Sequence, residues 1–392
     1  MARELTALVE SPGARHLYVH LPFCSSRCGY CDFVTAVGRR DQHGAYVDAL
    51  LAELELEGGL LAAEVETIFL GGGTPTFTEP KHLERLLAAF PDASELTSEA
   101  NPETVTPELA RLLRRNRVGR VSLGAQSFEP RLLAVLDRVA GPDDVRRAFY
   151  HLRDAEFDNI SLDLIYGIPG QSASDLTRDL AEALALEPEH ISAYELEAKP
   201  GTRFTHAHGD ELERQAESME SYFELVVETL TGAGYRWYET ANFSRAEEGG
   251  PIPAEDRSAG RDLRSQHNLG YWLGHDYLGL GVGAVTTIEN RRWRNRPSVS
   301  GYVAALAGAP GEPRRPPREV EALSAETRET ERLMLGLRLD EPLSVIDAHE
   351  RLDLDELARL EQLGLAERHG ETVTLTARGR FLGDGVTAAL LA

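Results

Sequence analysis

Apolar runs separated by helical patterns repeat along the first half of the chain. The helical period predicts helices at residues 46–56, 81–89, 107–114, 143–155 and 174–186. Apolar or alternating runs rich in Val, Ile, Leu, Phe and Tyr predict strands at residues 16–22, 66–71, 95–100, 119–125, 159–165 and 190–196. Six strands alternating with helices predict a parallel βα array, which is either a barrel, a partial barrel or an open doubly wound sheet.

The pattern changes after residue 200. A long helix is predicted at about residues 211–230, and a stretch rich in loops, Gly and Arg follows it. The Pro-rich segment 311–317 is typical of a linker. Three helical patterns and a short two-stranded piece around residues 373–375 then predict a small winged-helix-like module. In an acidic chain, such a module is better suited to interaction or covering than to reading DNA.

Composition narrows the class of protein. With 392 residues, of which 42% are hydrophobic, the chain can form two or three domains around a large core. There is no run of eighteen apolar residues and no signal-peptide pattern, so we expect a cytoplasmic protein without a transmembrane segment. The net charge of −23 argues against nonspecific nucleic-acid binding, because phosphate contacts need clustered Lys and Arg.

Unusual polar, cysteine-rich or glycine-rich segments follow the predicted strands. In parallel βα arrays, ligands collect at the carboxyl ends of the strands. The first strand leads into a loop with three cysteines. The later strands end near residues 71–75, 99–102, 126–128, 163–169 and 194–195. We therefore expect the chemistry of the protein at this edge of the sheet.

Cys24, Cys28 and Cys31 are the three cysteines of the chain, and they are too closely spaced for a disulfide framework. Clustered thiolates bind iron-sulfur clusters or zinc. Structural zinc needs four protein ligands, usually in two separated pairs, and the sequence has no second pair. Three thiolates on a cubane leave one iron for the amino and carboxylate groups of S-adenosylmethionine. Zinc completed by His20 or His43 stays open, as does a redox dithiol, which leaves the third cysteine unexplained.

The pattern C-x3-C-x2-C after a first strand, followed by a GGGTP segment, resembles the signature of radical SAM enzymes. The sequence further resembles the oxygen-independent coproporphyrinogen III oxidase-like group, in order along nearly the whole chain, at residues 18–24, 69–76, 99–102, 126–128, 136–138, 163–169 and 267–272. Within this group it is most similar to the haem chaperone (HemW) branch. Phe33 stands where the oxidases carry a further cysteine, and their longer N-terminal extension is absent.

The resemblance implies an α/β fold, a radical SAM partial (β/α)6 barrel with a C-terminal α+β region that ends in the winged-helix-like module. It divides the chain into four parts. These are an N-terminal tail (1–14), the partial barrel (15–235), a loop-rich family-specific region with an HNxxYW-type motif (236–317) and the C-terminal module (318–392).

The resemblance also implies a set of cofactor-binding residues. Glycines let the backbone approach a ligand, carboxylates accept its hydrogen bonds, and an arginine pairs with its carboxylate. The implied residues are Tyr18, Tyr30, Gly72, Gly73, Thr74, Glu99, Gln126, Arg138 and Asp163. As alternatives, Glu99 and Asp163 are helix caps or loop hydrogen bonders, and Arg138 is a surface residue on an exposed helix.

His267 is the candidate haem ligand. It lies in the segment 267–272, whose Tyr and Trp offer stacking faces, and Arg291, Arg292, Arg294 and Arg296 are candidates to meet the propionates. The alternative for His267 is a packed, hydrogen-bonded residue. The chain departs from the family at Ala140 and Val285, where the family commonly has histidines. The absence of these two histidines argues against a porphyrin-related function, but the residues expected to bind the cluster and S-adenosylmethionine are all present.

The resemblance implies a protein that carries a 4Fe-4S cluster and S-adenosylmethionine, binds haem, and passes it to an acceptor protein. An electron donor such as flavodoxin or ferredoxin is implied as a further partner. One alternative is an enzyme that decarboxylates coproporphyrinogen III or abstracts hydrogen from another substrate. A second alternative is a non-catalytic iron-sulfur or redox carrier.

Overall fold

The computed structural model describes residues 13–199, 203–245, 261–307, 315–345 and 351–391. In chain order the strands are β1 (His16–Leu21), β2 (Phe23–Cys24), β3 (Ala36–Val37), β4 (Val65–Gly72), β5 (Ala93–Ala100), β6 (Arg120–Gln126), β7 (Ile160–Tyr166), β8 (His190–Glu195), β9 (Tyr235–Glu239), β10 (Asn242–Arg245), β11 (Tyr277–Leu280), β12 (Val285–Ile288), β13 (Arg291–Asn295), β14 (Arg318–Ala322), β15 (Leu343–Ser344), β16 (Ala366–His369) and β17 (Thr372–Leu375). The helices are α1 (His43–Glu57), α2 (Pro80–Ala88), α3 (Pro107–Arg115), α4 (Pro130–Val135), α5 (Pro142–Asp154), α6 (Ala173–Ala185), α7 (Arg203–Gln215), α8 (Met219–Gly232), α9 (Gln266–Trp272), α10 (Val299–Leu306), α11 (Ala325–Gly336), α12 (Leu354–Gln362), α13 (Ala377–Phe381) and α14 (Gly383–Leu390).

A large sheet organises the molecule, with the strand order β14-β13-β12-β11-β1-β4-β5-β6-β7-β8-β10-β9. Its centre is the parallel run β1, β4, β5, β6, β7 and β8, in which each strand pairs with the next in sequence. These are the six predicted strands, and their bounds agree with the prediction within two residues. The sequential order is that of a partial (β/α)6 barrel, which confirms the predicted fold class.

The two faces of the parallel strands differ in polarity. On one face, Leu17, Val19 and Leu21 of β1 belong to the main hydrophobic core, together with Ile68 and Leu70 of β4. The strand register places polar side chains on the opposite face, because His16 pairs with Thr67, Thr67 with Glu95, Thr97 with Arg120, Ser122 with Ser161, and Asp163 with Ser192. Side chains alternate along a strand with period two, so the barrel has an apolar exterior under its helices and a polar interior.

Two features differ from the sequence-based expectation. The predicted single helix at residues 211–230 is two helices, α7 and α8, which a 3-10 turn at residues 216–218 separates. The stretch predicted to be rich in loops contributes β10 to one edge of the sheet and β11 to β13 to the other. These strands are only four or five residues long, and three of the five residues of β13 are arginines, so the hydrophobic pattern of the stretch is weak.

The C-terminal residues form their own hydrophobic cluster, which includes Leu333, Leu357 and Val373. The predicted two-stranded piece is the hairpin β16–β17, and β15 pairs with β17 as a third strand. The winged-helix assignment stays a prediction, as do the domain boundaries. Residues 1–12 of the predicted tail and residues 311–314 of the predicted linker lie outside the described residues. Within the described part of the chain, no helix has the length and apolar character needed to cross a membrane.

Candidate cofactor site

The cysteine loop leaves the carboxyl end of β1 and is held by backbone hydrogen bonds. Cys24 is buried, and Cys28 and Cys31 are partly buried. The N–H of Gly29 donates to Leu136 O at 3.1 Å, and the N–H of Cys31 donates to Cys28 O at 3.2 Å. A Cβ at Gly29 would lie 2.9 Å from the Asp137 carboxylate, so the residue after Cys28 must be small for the loop to pack here.

Two of the cysteine sulfurs accept hydrogen bonds from one connected set of side chains. Thr74 Oγ1 donates to Cys24 Sγ, and Arg138 Nη1 donates to Cys28 Sγ, both at 3.5 Å. Asn101 joins these donors, because its Nδ2 donates to Thr74 Oγ1 at 3.0 Å and its Oδ1 accepts from Arg138 Nη2 at 3.1 Å. Asn101 was not among the site residues predicted from the sequence, although its position directly after β5 was a signal that could have identified it.

The cysteines fit an iron-sulfur cluster. All three are free thiols. Burial raises the pKa of Cys24 to about 11 and also raises the pKa of Cys31, and bound iron would stabilise the thiolate forms of these two residues. Hydrogen bonds to ligand sulfur, such as those from Thr74 and Arg138, are interactions that orient ligands and tune clusters.

The zinc alternative finds no support among the described residues. The ligand atoms of a tetrahedral zinc site lie close together, yet no group of ligand atoms within 4.8 Å of one another combines these cysteines with His20 or His43. His20 is engaged at both ring nitrogens, since Nδ1 contacts Tyr18 Oη at 3.0 Å and Nε2 contacts Val34 O at 2.9 Å.

Glu99 near the carboxyl end of β5 and Asp163 at the middle of β7 both lie on the interior face of the barrel, close enough for their charges to interact. The N–H of Gly72 donates to Glu99 at 3.1 Å, and Ser122 Oγ lies 2.9 and 3.0 Å from the two oxygens of Asp163. Burial, with a smaller contribution from Asp163, raises the pKa of Glu99 to about 8. Burial also raises the pKa of Asp163. Two partly buried carboxyl groups on the interior face of the barrel suit a ligand that brings an ammonium group and hydroxyl groups.

The geometry of both carboxylates speaks against the helix-cap alternative. The nearest caps are made by other side chains, since Thr106 caps α3 and Ser172 caps α6. Arg138 likewise lies on no helix. It follows Asp137, whose φ of 55° is left-handed, and its guanidinium points inward to Gly124 O at 2.8 Å.

Gly72 and Gly73 have a packing role in addition to the expected opening for a ligand. A Cβ at Gly72, whose φ is 106°, would lie 2.4 Å from the His20 ring. A Cβ at Gly73 would lie 2.6 Å from the backbone of Pro22. The two glycines therefore let β4 pass close to the end of β1, where the cysteine loop begins.

Gln126 sits in a β-bulge. The pairing of β6 with β7 shifts between Gly124 and Gln126, and Gln126 has a left-handed φ of 64°. A Cβ at Gly124 would lie 2.7 Å from Gln126 Nε2, so the amide folds back over Gly124. Bulges of this kind re-aim a side chain beside active sites.

The two candidate tyrosines, Tyr18 and Tyr30, lie at different depths relative to the barrel interior. Tyr18 lies inside the barrel, stacked on Phe69 with 6.3 Å between ring centroids. Tyr30 lies on the cysteine loop and packs against an apolar cluster that includes Leu136 and Phe204. The structure thus brings Tyr30 to Cys28 and Arg138, whose charges affect its titration, while Tyr18 is placed beside Glu99.

The family assignment rests on three comparisons. Residues 18–183 match the Radical SAM superfamily, and residues 323–382 match the HemN C-terminal domain. The Heme chaperone HemW of Mycobacterium tuberculosis (strain H37Rv) is 37% identical over 405 residues, which span 99% of this chain and 98% of that protein. The chain belongs to the HemW family of radical SAM proteins. Its cofactors are therefore expected to be a 4Fe-4S cluster and S-adenosylmethionine.

Two further comparisons agree. The Heme chaperone HemW of Bacillus subtilis (strain 168) is 32% identical over 95% of this chain and 98% of its own length. The solved coproporphyrinogen III oxidase (HemN) of Escherichia coli, a radical SAM enzyme, superposes with a TM-score of 0.77 at 21% identity, covering 96% of this chain and 90% of that one. At this level of identity, the superposition supports the fold alone.

His267 is not placed as the expected haem ligand. Its side chain is 1% exposed, Nδ1 contacts Thr67 Oγ1 at 2.7 Å, and Nε2 contacts Tyr271 Oη at 3.0 Å. The ring also stacks on Phe69 with 5.1 Å between centroids. In this arrangement neither ring nitrogen is open to an iron, so the geometry favours the alternative of a packed, hydrogen-bonded histidine.

Two of the neighbouring candidates, Trp272 and Arg292, are also engaged by other side chains. Trp272 lies under the Arg338 guanidinium at 4.7 Å, and Arg292 makes two hydrogen bonds to Glu331 at 2.7 and 2.8 Å. Arg291, Arg294 and Arg296 are exposed on or next to β13. Helix α9, which carries the HNxxYW-type motif, thus closes the amino end of the barrel, away from the cysteine loop.

Proposed function

We propose that this chain is a haem chaperone, which binds haem and transfers it to an acceptor protein while carrying the radical SAM cofactors. The haem chaperones to which it is similar over almost its full length support this role. Phe33, which stands where the oxidases carry a further cysteine, supports a chaperone over an oxidase.

Each cofactor has a matching set of side chains. Cys24, Cys28 and Cys31 would hold three irons of the cluster, which would supply an electron to S-adenosylmethionine. Arg138 donates to Cys28 Sγ and is placed to neutralise a carboxylate beside that sulfur. Glu99 and Asp163 would accept hydrogen bonds from the amino and hydroxyl groups of the cofactor.

A cavity beside the cysteine loop is the observation that carries the haem proposal. It has a volume of about 550 Å³ and is lined by Gly29, Ala134, Val135, Phe204 and His208, together with Arg131 and others. Haem requires an apolar surface for the macrocycle and a donor for the iron, and His208 is the imidazole in this wall. We therefore assign the haem site to this cavity, with His208 in place of His267 as the iron ligand.

Exposed apolar side chains surround the same loop. Phe33, two residues after Cys31, is 66% exposed, and Val139, next to Arg138, is 65% exposed. Exposed apolar surface beside a site is typical of a surface that contacts a ligand or partner. We propose that this apolar surface contacts the edge of the bound haem and the acceptor protein. The proposal includes a flavodoxin or ferredoxin as the electron donor. It also places the protein in the cytoplasm, where reducing conditions keep thiols free to bind a cluster.

Haem titration of the anaerobically reconstituted protein tests this function. We expect about one haem per chain and no conversion of coproporphyrinogen III to protoporphyrinogen IX. His208→Ala should weaken haem binding at least about tenfold and shift the Soret band. Removing a residue that only hydrogen-bonds to a metal ligand already lowers metal affinity about tenfold or more, and removing the ligand itself should cost at least as much. His206→Ala, two residues away on α7, is the matched control.

The outcomes separate the function from the site. A wild-type protein that binds no haem, or that forms vinyl groups from the propionates, would contradict the chaperone function. Equal haem binding by the His208→Ala variant would leave the function in place but refute the assigned ligand.

A further inference from the structure

A second cluster of metal-binding side chains lies at the opposite end of β1 from the cysteine loop. His16 begins β1, Glu66 lies on the neighbouring β4, and His275 follows α9. One ligand atom from each lies within 4.8 Å of the other two. His16 and Leu21 are five residues apart, and a strand advances about 3.3 Å per residue. The cluster is therefore roughly 17 Å from the cysteine end and is a separate site.

The distances between the ligand atoms approach those of a metal site. His16 Nε2 lies 3.1 Å from His275 Nδ1 and 3.9 Å from Glu66 Oε2. Two nitrogens bound at about 2.0–2.1 Å to a tetrahedral ion are separated by about 3.3 Å. The imidazoles already have this spacing, and a small rotation of the Glu66 side chain, which is 42% exposed, would close the remaining gap.

The His16 ring is fixed by its surroundings. A Cβ at Gly270 would lie 2.8 Å from the ring, so α9 packs directly against it. On the other nitrogen, Nδ1 lies 2.9 Å from Thr67 Oγ1, which in turn contacts His267 Nδ1 at 2.7 Å. A metal-bound histidine characteristically donates its second ring N–H to such an acceptor, which fixes its tautomer and orientation.

We propose that His16, Glu66 and His275 bind a divalent first-row transition metal such as Zn²⁺. Two imidazoles and one carboxylate are a ligand set that zinc and ferrous iron both use, and three protein ligands leave a coordination position open. Arg15 pairs with the other Glu66 oxygen at 2.6 Å, so Oε2 is the oxygen that faces the imidazoles. Without a metal, the same two rings would share one N–H···N hydrogen bond.

Zinc titration of the full-length protein, with its cysteines already occupied by the reconstituted cluster, tests the site. Calorimetry should give about one Zn²⁺ per chain with no loss of iron. His275→Gln, on the accessible side of the cluster, and Glu66→Gln should each weaken Zn²⁺ binding at least tenfold. His369→Gln is the matched control, because His369 is an exposed histidine that contacts Glu367 on the C-terminal hairpin.

Zinc that raises the thermal midpoint of the wild-type protein but not of the His275→Gln variant would give independent support, because a ligand of the folded state stabilises it by mass action. The proposal is overturned if the wild-type protein takes up no Zn²⁺, or if the His275→Gln and Glu66→Gln variants bind it as tightly as the wild type.

Discussion

The two ends of the barrel interior use similar residues in different ways, and Glu95 and Glu99 on β5 show the contrast. Both are partly buried and share one face of the strand. Glu95, near the amino end, accepts the backbone N–H groups of Gln266 and His267 at 3.1 and 3.2 Å. Glu99, at the carboxyl end, accepts the N–H of Gly72 and faces Asp163.

The same contrast holds for the imidazoles of the amino end. His190 contacts Ser161 Oγ and Tyr238 Oη, both at 2.8 Å, and His267 is engaged at both nitrogens. Buried polar groups must find partners, and at the amino end the neighbouring strands and helix α9 together supply them. At the carboxyl end the strands lead into the cysteine loop and the glycine-rich segment, and the proposed cofactors would contact the carboxylates and thiols there.

The largest expected effect concerns the thiols. Changing Cys24, Cys28 or Cys31 to Ala should abolish the cluster, because each thiolate holds one corner of the cubane. Iron content and the broad charge-transfer absorption of the anaerobically reconstituted protein measure this. Ser25→Ala, in the same loop, is the control that should keep about four irons. Stoichiometric zinc in place of iron in the wild-type protein would contradict the assignment.

Paired variants on β5 test the contrast between the two ends. Glu99→Gln should weaken S-adenosylmethionine binding about tenfold or more at unchanged iron content, since a charge-assisted hydrogen bond contributes about 1.5–3 kcal/mol. Glu95→Gln should leave that affinity unchanged. Equilibrium binding to the cluster-loaded protein gives both values, and equal losses in the two variants would remove the distinction.

Glu95 and His267 should instead contribute to stability. Glu95→Gln and His267→Ala should each lower the free energy of unfolding by about 1–3 kcal/mol, because each leaves buried groups of β4, β5 or α9 without a partner. Thermal or denaturant unfolding measures the loss. We expect the His267→Ala variant to keep its haem affinity, and a selective loss of haem would restore His267 as the ligand.

The smallest expected effect is a pH dependence of the cofactor-free protein. The pKa of Glu99 is raised to about 8 from its ordinary value of 4.5, so the folded state favours the protonated form. Its contribution to stability is complete below pH 4.5 and is lost as the pH rises through about 8. Glu99→Gln should flatten the decline in thermal midpoint between pH 5 and pH 8. An unchanged slope would show that Glu99 titrates normally.

The sequence predicted the parallel array because each central strand has a continuous or alternating apolar run between clear helical patterns. It predicted the cysteine site for a similarly local reason, since the spacing of three thiols within eight residues favours an iron-sulfur cluster over zinc or a redox dithiol. The strands at residues 277–295 were missed because all three are short and the last of them is Arg-rich. They are stable only as additions to the edge of an existing sheet.

Residue identity and local spacing thus indicated the family, the parallel βα array and the three cysteines as candidate cluster ligands. The tertiary structure alone decided which buried polar groups have partners. It occupied both nitrogens of His267, linked Thr74 to Arg138 through Asn101, and brought His16 to Glu66 and His275, which is 259 positions away in sequence. The physical reason is that hydrogen bonding depends on register and packing between distant segments, which no local pattern encodes.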